Sequence, residues 1–232
     1  MKFSIITPVF NRADCVARCI DSVINQSITK SDKWDYEHII VNDGSKDNTD
    51  EIIRNYSKNH PHIVYINFAE NKGTNAARNA AIKHASGDFC IILDSDDYFV
   101  DNALDIIYNT IQSRPEYKHY MFTPDDRGEE FNKSALLNKE QIISFDDFLS
   151  LKYNGDFIHV IKRETMQKYP FDESLRIYEG PFFMRFYKEA KNILFTNIII
   201  TIRERNRNDS VSKEYIKTDK SVIKKAISAF VR

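Results

Sequence analysis

The chain has 232 residues, long enough for one α/β domain with a substantial core, and its 42% hydrophobic and 29% charged composition excludes wholesale disorder. A formal net charge of −1 gives no electrostatic footprint for general nucleic-acid binding. There is no long uninterrupted apolar run, and Met1-Lys2 leads straight into a strand-like segment rather than a leader, so a cytoplasmic protein is expected, with at most peripheral contact at the inner membrane face.

Residues 2–9 (KFSIITPV) read as a first buried strand, stopped by Pro8. Residues 11–28 carry Val16, Cys19, Ile20, Val23 and Ile24 at helical spacing, with one apolar face. Residues 36–41 are a second strand, followed by a turn loaded with Gly, Asn and Asp. Ser45 or Asp47 is placed there to cap a helix over 49–59 that His60-Pro61 closes. A third strand over 63–68 leads through Asn71-Lys72-Gly73 into an alanine-rich helix over 74–85, ended by Ser86-Gly87. Cys15, Cys19 and Cys90 are an odd number without a fourth metal ligand, a pattern that suits reduced thiols used as small hydrophobes.

The fourth strand is Asp88-Phe-Cys-Ile-Ile-Leu-Asp94-Ser-Asp-Asp97, an apolar run that ends in three carboxylates within four positions. Crowding that much negative charge calls for a counter-charge, and oxygen-only ligands suit hard cations such as Mg²⁺ or Mn²⁺, which share their coordination sphere with phosphates. The plainer alternative is that Asp94, Ser95 and Asp97 cap the next helix. Strands alternating with helices argue for a mostly parallel sheet with right-handed crossovers. Ligands bind such sheets beyond the carboxyl ends of the strands, which brings Thr7, Asp43, the 71–78 turn and Asp94–Asp97 to one rim. The turn after the first strand lacks the glycines of a dinucleotide-binding fingerprint, so a nucleotide at this rim would be held by side chains and metal.

Four segments together resemble family-2 glycosyltransferases of the GT-A fold: Ser4-Ile-Ile-Thr-Pro-Val-Phe-Asn11, Ile40-Val-Asn-Asp-Gly-Ser-Lys-Asp-Asn-Thr49, Asn71-Lys-Gly-Thr-Asn-Ala-Ala-Arg-Asn79 and Gly87 through Asp97. The resemblance implies a GT-A-like α/β domain, with a nucleotide-sugar-binding half over 1–115, an acceptor-side half over 116–217 and an amphipathic helix over 218–232. It implies inverting, metal-dependent transfer of a sugar from a nucleotide diphosphate sugar, a UDP-sugar being expected, to a glycan, lipid-linked, protein or small-molecule acceptor. Asp43 would take the N–H of a uracil-type base, with Thr7 and Pro8 lining the same pocket. Arg78 would reach the nucleotide or its phosphates. Asp94, with Ser95 beside it, would hold the ribose side and assist the metal, Asp96 would be the main ligand of Mn²⁺ or Mg²⁺, and Asp97 would contact the sugar or begin the next segment.

Beyond Asp97, residues 101–113 read as a helix with Asp101 as its cap, 117–123 as a strand and 124–139 as an irregular polar excursion. A short helix within 143–151 and a strand over 157–161 follow, then a helix over 182–191 and a hairpin-like pair, 193–195 with 198–203. The segment 162–175 resembles the family's approach to its catalytic base, where the family usually shows Glu-Asp. This chain has Glu179-Gly180 there. Glu179 is therefore the expected base, with Asp172 and Glu173 as substitutes, and loss of the second carboxylate supports an alternative, a nucleotide-sugar-binding module with impaired transfer. A phosphatase that uses an acidic pair is a third reading, disfavoured because such enzymes carry the pair on the first strand. Residues 203–212 resemble the family segment that closes over the donor, where Arg205 or Arg207 would clamp the diphosphate. The apolar stripe over 219–232 suits docking onto the domain more often than contact with an anionic membrane.

Overall fold

The computed structural model describes residues 1–26, 32–125, 140–149 and 157–204. The sequence readings at 126–139 and 205–232, including Arg205, Arg207 and the terminal amphipathic helix, lie outside these residues. The first half alternates β1 (Lys2–Val9), α1 (Val16–Asn25), β2 (Asp35–Asn42), α2 (Thr49–Asn59), β3 (Ile63–Asn67), α3 (Thr74–His84) and β4 (Phe89–Ile92). Then come β5 (Tyr98–Phe99), α4 (Ala103–Ser113), β6 (His119–Pro124), β7 (Gln141–Ser144), α5 (Phe145–Leu149), β8 (Ile158–Lys162), α6 (Arg163–Lys168), α7 (Gly180–Ala190) and β9 (Asn192–Ile202).

Among the described residues the strands form one sheet in the order β3-β2-β1-β4-β8-β6-β9-β5, with β7 also on β9. The first four pair in parallel, as alternation with helices dictates, while β8 pairs antiparallel to both β4 and β6. The mostly parallel α/β expectation holds, with antiparallel pairs added by the second half of the chain. Strand β1 is buried from Phe3 through Val9, because helices cover both faces. Ile5 packs with Cys19 and Val23 of α1 and Leu104 of α4, while Ile6 packs with Ala77 and Ala81 of α3 and Phe182 and Phe186 of α7. Each fully buried side chain of this kind contributes about 1.5–3 kcal/mol of apolar transfer, which fixes the sheet and hence its rim. The order in which strands are added reverses between the parallel β1 and β4, and the crevice beyond their carboxyl ends is the ligand position of open α/β sheets.

Several local expectations are corrected. Helix α1 begins at Val16, not residue 11, because Asn11 is left-handed (φ 51°) and the N–H groups of Asn11, Arg12 and Ala13 bond to Ser45, Thr49 and Asp47 instead of starting a helix. Asn48 holds the N-cap position of α2, although the Asp47 carboxylate does accept from the Thr49 N–H at 3.1 Å. Asn102, at φ 61°, precedes α4 where Asp101 was expected to cap it. The hairpin over 193–203 is one strand, β9: between Phe122↔Thr196 and Thr123↔Ile199 its register against β6 slips, so Asn197-Ile198 form a bulge and not a turn. Pro8 lies inside β1 rather than ending it, and the short β5, β7 and α6 had no clear periodic signal.

The face under α7 contains an aromatic layer. Phe171 stacks on Phe182 at 3.9 Å, and His119 bonds His159 at 2.9 Å while packing on Phe186 and Tyr187. Burial holds His159 down at about 3 and His119 well below its usual value; burial likewise brings His38, bonded to the Thr7 hydroxyl, to about 3. In each case the unfolded imidazole takes up its proton near pH 6.5 and the folded one does not, so stability present above that pH is lost as pH falls toward 3. Urea unfolding should therefore show a loss of about 1.4 kcal/mol per buried histidine for each pH unit below 6.5. Equal stability at pH 7.5 and pH 5.5 would contradict neutral, buried imidazoles.

Candidate active site

The rim is built by loops that bind one another. Gly44 has φ 70°, and a Cβ there would lie 2.5 Å from the carbonyl carbon of Glu70, so only glycine admits the 70–73 segment at this point. Asp43, 3% exposed, receives the N–H groups of Lys72 at 2.7 Å and Gly73 at 2.9 Å. Burial raises its carboxyl pKa, opposed by those N–H groups and by Arg176 and Lys72. Each carboxylate oxygen keeps a lone pair beyond its loop contact, so Asp43 can still accept from a ligand. Thr7 and Pro8 lie deeper than expected: Thr7 is fully buried with its hydroxyl on His38, and Pro8 is buried beside it, so neither is open on the rim.

The acidic loop follows β4. Its backbone turns through the Asp97 N–H to Asp94 carbonyl bond, and the thiols of Cys19 and Cys15 reach the carbonyls of Asp94 and Ser95 at 3.6 and 3.7 Å. The three cysteines are all buried and free. Ser95 is buried, whereas the Asp94 and Asp96 side chains are 50% and 22% exposed. Asp97 is buried, and desolvation together with Asp94 pushes its carboxyl up to about 8 against the pull of Arg203.

An arginine faces each carboxylate: Arg78 with Asp94 at 3.3 Å, Arg12 with Asp96 at 3.8 Å and Arg203 with Asp97 at 3.5 Å. Arg18 also donates to the Asp96 carbonyl and pairs with Glu204 at 2.8 Å. Of these only Arg78 was expected at the site. Arg12 was legible in principle, since it directly follows the first-strand motif at the same rim. The remaining partners come from α1 and from the far end of β9, which local pattern does not bring together.

Arg78 joins the two halves of the site. Its side chain is 8% exposed, its guanidinium lies 5.5 Å above the Phe171 ring, and besides Asp94 it donates to the Glu179 carboxylate. Glu179 occupies the N-cap position of α7, which has Pro in its first turn and whose positive end favours an ionised carboxylate. The substitutes lie elsewhere: Asp172 caps its own turn through Ser174, and Glu173 binds Asn79.

The acidic loop offers only oxygen ligands, two of its carboxylates are open to solvent, and among the described residues no group of three or more His, Cys, Asp or Glu gathers to hold a metal alone. That donor set fits Mg²⁺ or Mn²⁺ bound through one or two carboxylates, with substrate phosphates and water completing the shell. No helix among the described residues is long and apolar enough to cross a membrane.

Comparison with known proteins identifies the family and the fold. The chain is 30% identical over 194 residues to the GalNAc(5)-diNAcBac-PP-undecaprenol beta-1,3-glucosyltransferase of Campylobacter jejuni, covering 81% of this chain and 60% of that enzyme. In fold it is similar to Staphylococcus aureus TarS 1–349 in complex with UDP-GlcNAc, with a TM-score of 0.75, 20% identity, and coverage of 91% of this chain and 61% of that one. It is also similar to the mannosyltransferase PcManGT of Pyrobaculum calidifontis in complex with GDP-Man and Mn²⁺, with a TM-score of 0.67, 15% identity, and coverage of 98% and 68%. The chain thus spans about 60% of the length of the glucosyltransferase relative. The sheet order, the acidic loop beside the switch point and a match of the family model over residues 4–186 lead to one assignment: the chain belongs to glycosyl transferase family 2, with a GT-A-like fold.

Proposed function

We propose that this chain transfers a sugar, with inversion, from a UDP-sugar to a hydroxyl acceptor in the synthesis of a surface or lipid-linked glycan. The observation that carries this reading is the Arg78 bridge, which ties the acidic loop at Asp94 to Glu179 across the crevice at the switch point. The Campylobacter relative's lipid-linked glucosylation and the UDP-GlcNAc bound to the TarS neighbour support the choice of donor and acceptor class.

In this reading Asp43 accepts from the uracil N–H, and Arg78 and Asp94 hold the ribose and phosphate side of the donor. Ser95 shapes that loop, and Asp97 borders the sugar. A divalent cation held by Asp96 with Asp94 would supply Lewis-acid charge to the departing diphosphate. Glu179 orients the acceptor hydroxyl and takes its proton as the acceptor oxygen bonds to the anomeric carbon and the bond from that carbon to the diphosphate breaks. Approach from the side opposite the diphosphate inverts the anomeric centre. Arg78, which donates to the Glu179 carboxylate, holds it at the crevice.

A second reading is favoured by one observation: Gly180 stands where the family usually has a carboxylate, leaving Glu179 to serve alone. In that reading the chain binds nucleotide sugar and does not transfer it.

The test combines donor binding and UDP release across a panel of UDP-sugars with Mn²⁺. Asp96→Ala should lose metal-dependent donor binding and keep its fold, since a rim carboxylate is not core. Unchanged metal dependence in that variant would sink the assignment of the acidic loop. Glu179→Gln should bind donor normally and turn over about two to four orders of magnitude more slowly. Full turnover in that variant eliminates Glu179, and donor binding without UDP release from the parent protein, with any acceptor, favours the binding module.

A further inference from the structure

Asn75 and Asn79 are one helical turn apart on α3, and both reach the turn that leads to Glu179. Asn75 is fully buried; its side-chain amide donates to the carbonyls of Asp172 at 3.0 Å and Tyr178 at 3.1 Å, and its backbone N–H donates to the Arg176 carbonyl at 2.7 Å. Asn79 donates to the Phe171 carbonyl and to the Glu173 carboxylate, both at 2.9 Å, and its side-chain oxygen receives the Phe171 N–H at 2.9 Å. Two amides thus hold the backbone of residues 171–178 at both ends, although about a hundred residues separate the partners in sequence.

The segment they hold is in a conformation a chain rarely takes alone. Arg176 has φ 52° and ψ −67° and is the centre of a γ-turn closed by the Ile177 N–H on the Leu175 carbonyl at 2.6 Å. The turn presses on Gly73, where a Cβ would lie 2.9 Å from the Arg176 Cβ. A strained turn persists only when its surroundings over-determine it, and such turns concentrate at sites that need fixed geometry. Arg78, which carries Glu179, sits on the same helix between the two asparagines.

We propose that Asn75 and Asn79 are positioning residues. They fix the turn over 171–178 so that the Glu179 carboxylate is presented beside Arg78 and Asp94, and through it they set the rate of proton removal. This rests on the reading of Glu179 as the base. A displacement of about 1 Å at a catalytic group can cost on the order of a hundredfold in rate, whereas a merely structural pair would affect stability alone.

The test uses the full chain with UDP-glucose and Mn²⁺ as the probe. Asn79→Ala is the main variant because Asn79 is partly exposed, and Asn75→Ala, at a buried site, is the second. Asn79→Ala should lower kcat for UDP release about 10- to 100-fold while UDP-glucose affinity stays within about threefold. Hydrogen exchange should quicken in the peptide covering 171–179 and not in those of β1 and β4. In a Glu179→Gln background Asn79→Ala should cost nothing further, since both act on one step. Unchanged exchange at 171–179 overturns the grip itself. Loss of UDP-glucose binding in step with kcat, or the same fold-loss in the Glu179→Gln background, overturns action through Glu179. If Glu179→Gln keeps full turnover, or the parent releases no UDP, the base reading fails and the positioning role with it. Exchange then reports separately whether the asparagines hold the turn.

Discussion

Carboxylates at adjacent turns of a loop repel one another, and the loop after β4 holds three of them at the end of a buried strand. Burial, and after it the neighbouring Asp94, raises the Asp97 carboxyl pKa against the attraction of Arg203. Arginines drawn from the β1 loop, α3 and the end of β9 answer the charge, one facing each aspartate. Among the described residues, these three arginines and three aspartates form an ionic cluster at the rim. An arriving diphosphate would meet guanidinium groups already partly desolvated and fixed, which is the arrangement that makes charge-assisted phosphate contacts strong.

The same cluster links the first half of the chain to the second. β8 adds antiparallel to β4, so the sheet runs continuously from one half to the other. At the rim the link is polar: Arg78 reaches Glu179, and the amides of α3 reach the turn before it. Apolar packing beneath, from Phe171 through Phe182 to Phe186, supports that turn from the core side. Helix α3 therefore contacts both the acidic loop and the turn that leads to Glu179.

Much of the first half of the chain was legible because its signals are local. Buried parallel strands show as largely apolar runs such as Phe3–Val9, and the helices of α2 and α3 end within a residue of their expected bounds. Asp43, Arg78 and Asp94–Asp97 were reachable from the rule that ligands sit beyond the carboxyl ends of the strands. What was not legible depends on distant pairing. The bulge at Asn197-Ile198 reads as a turn because a polar residue interrupts an apolar run, and only the register with β6 tells the two apart. Residues 11–13 were expected to open the first helix, but their N–H groups are claimed by the second loop. Thr7 sits at the rim by strand position, yet its hydroxyl belongs to His38 in the neighbouring strand. The partnership of Arg78 with Glu179 spans about a hundred residues and leaves no periodic trace.

The most direct test is a crystal structure of this chain with UDP and Mn²⁺. The account predicts the uracil beside Asp43, the ion on Asp96, and the diphosphate lying along the acidic loop within reach of Arg78, on the side that faces Glu179. UDP bound away from the carboxyl ends of β1 and β4, or with its phosphates directed away from Asp94–Asp97, would contradict it.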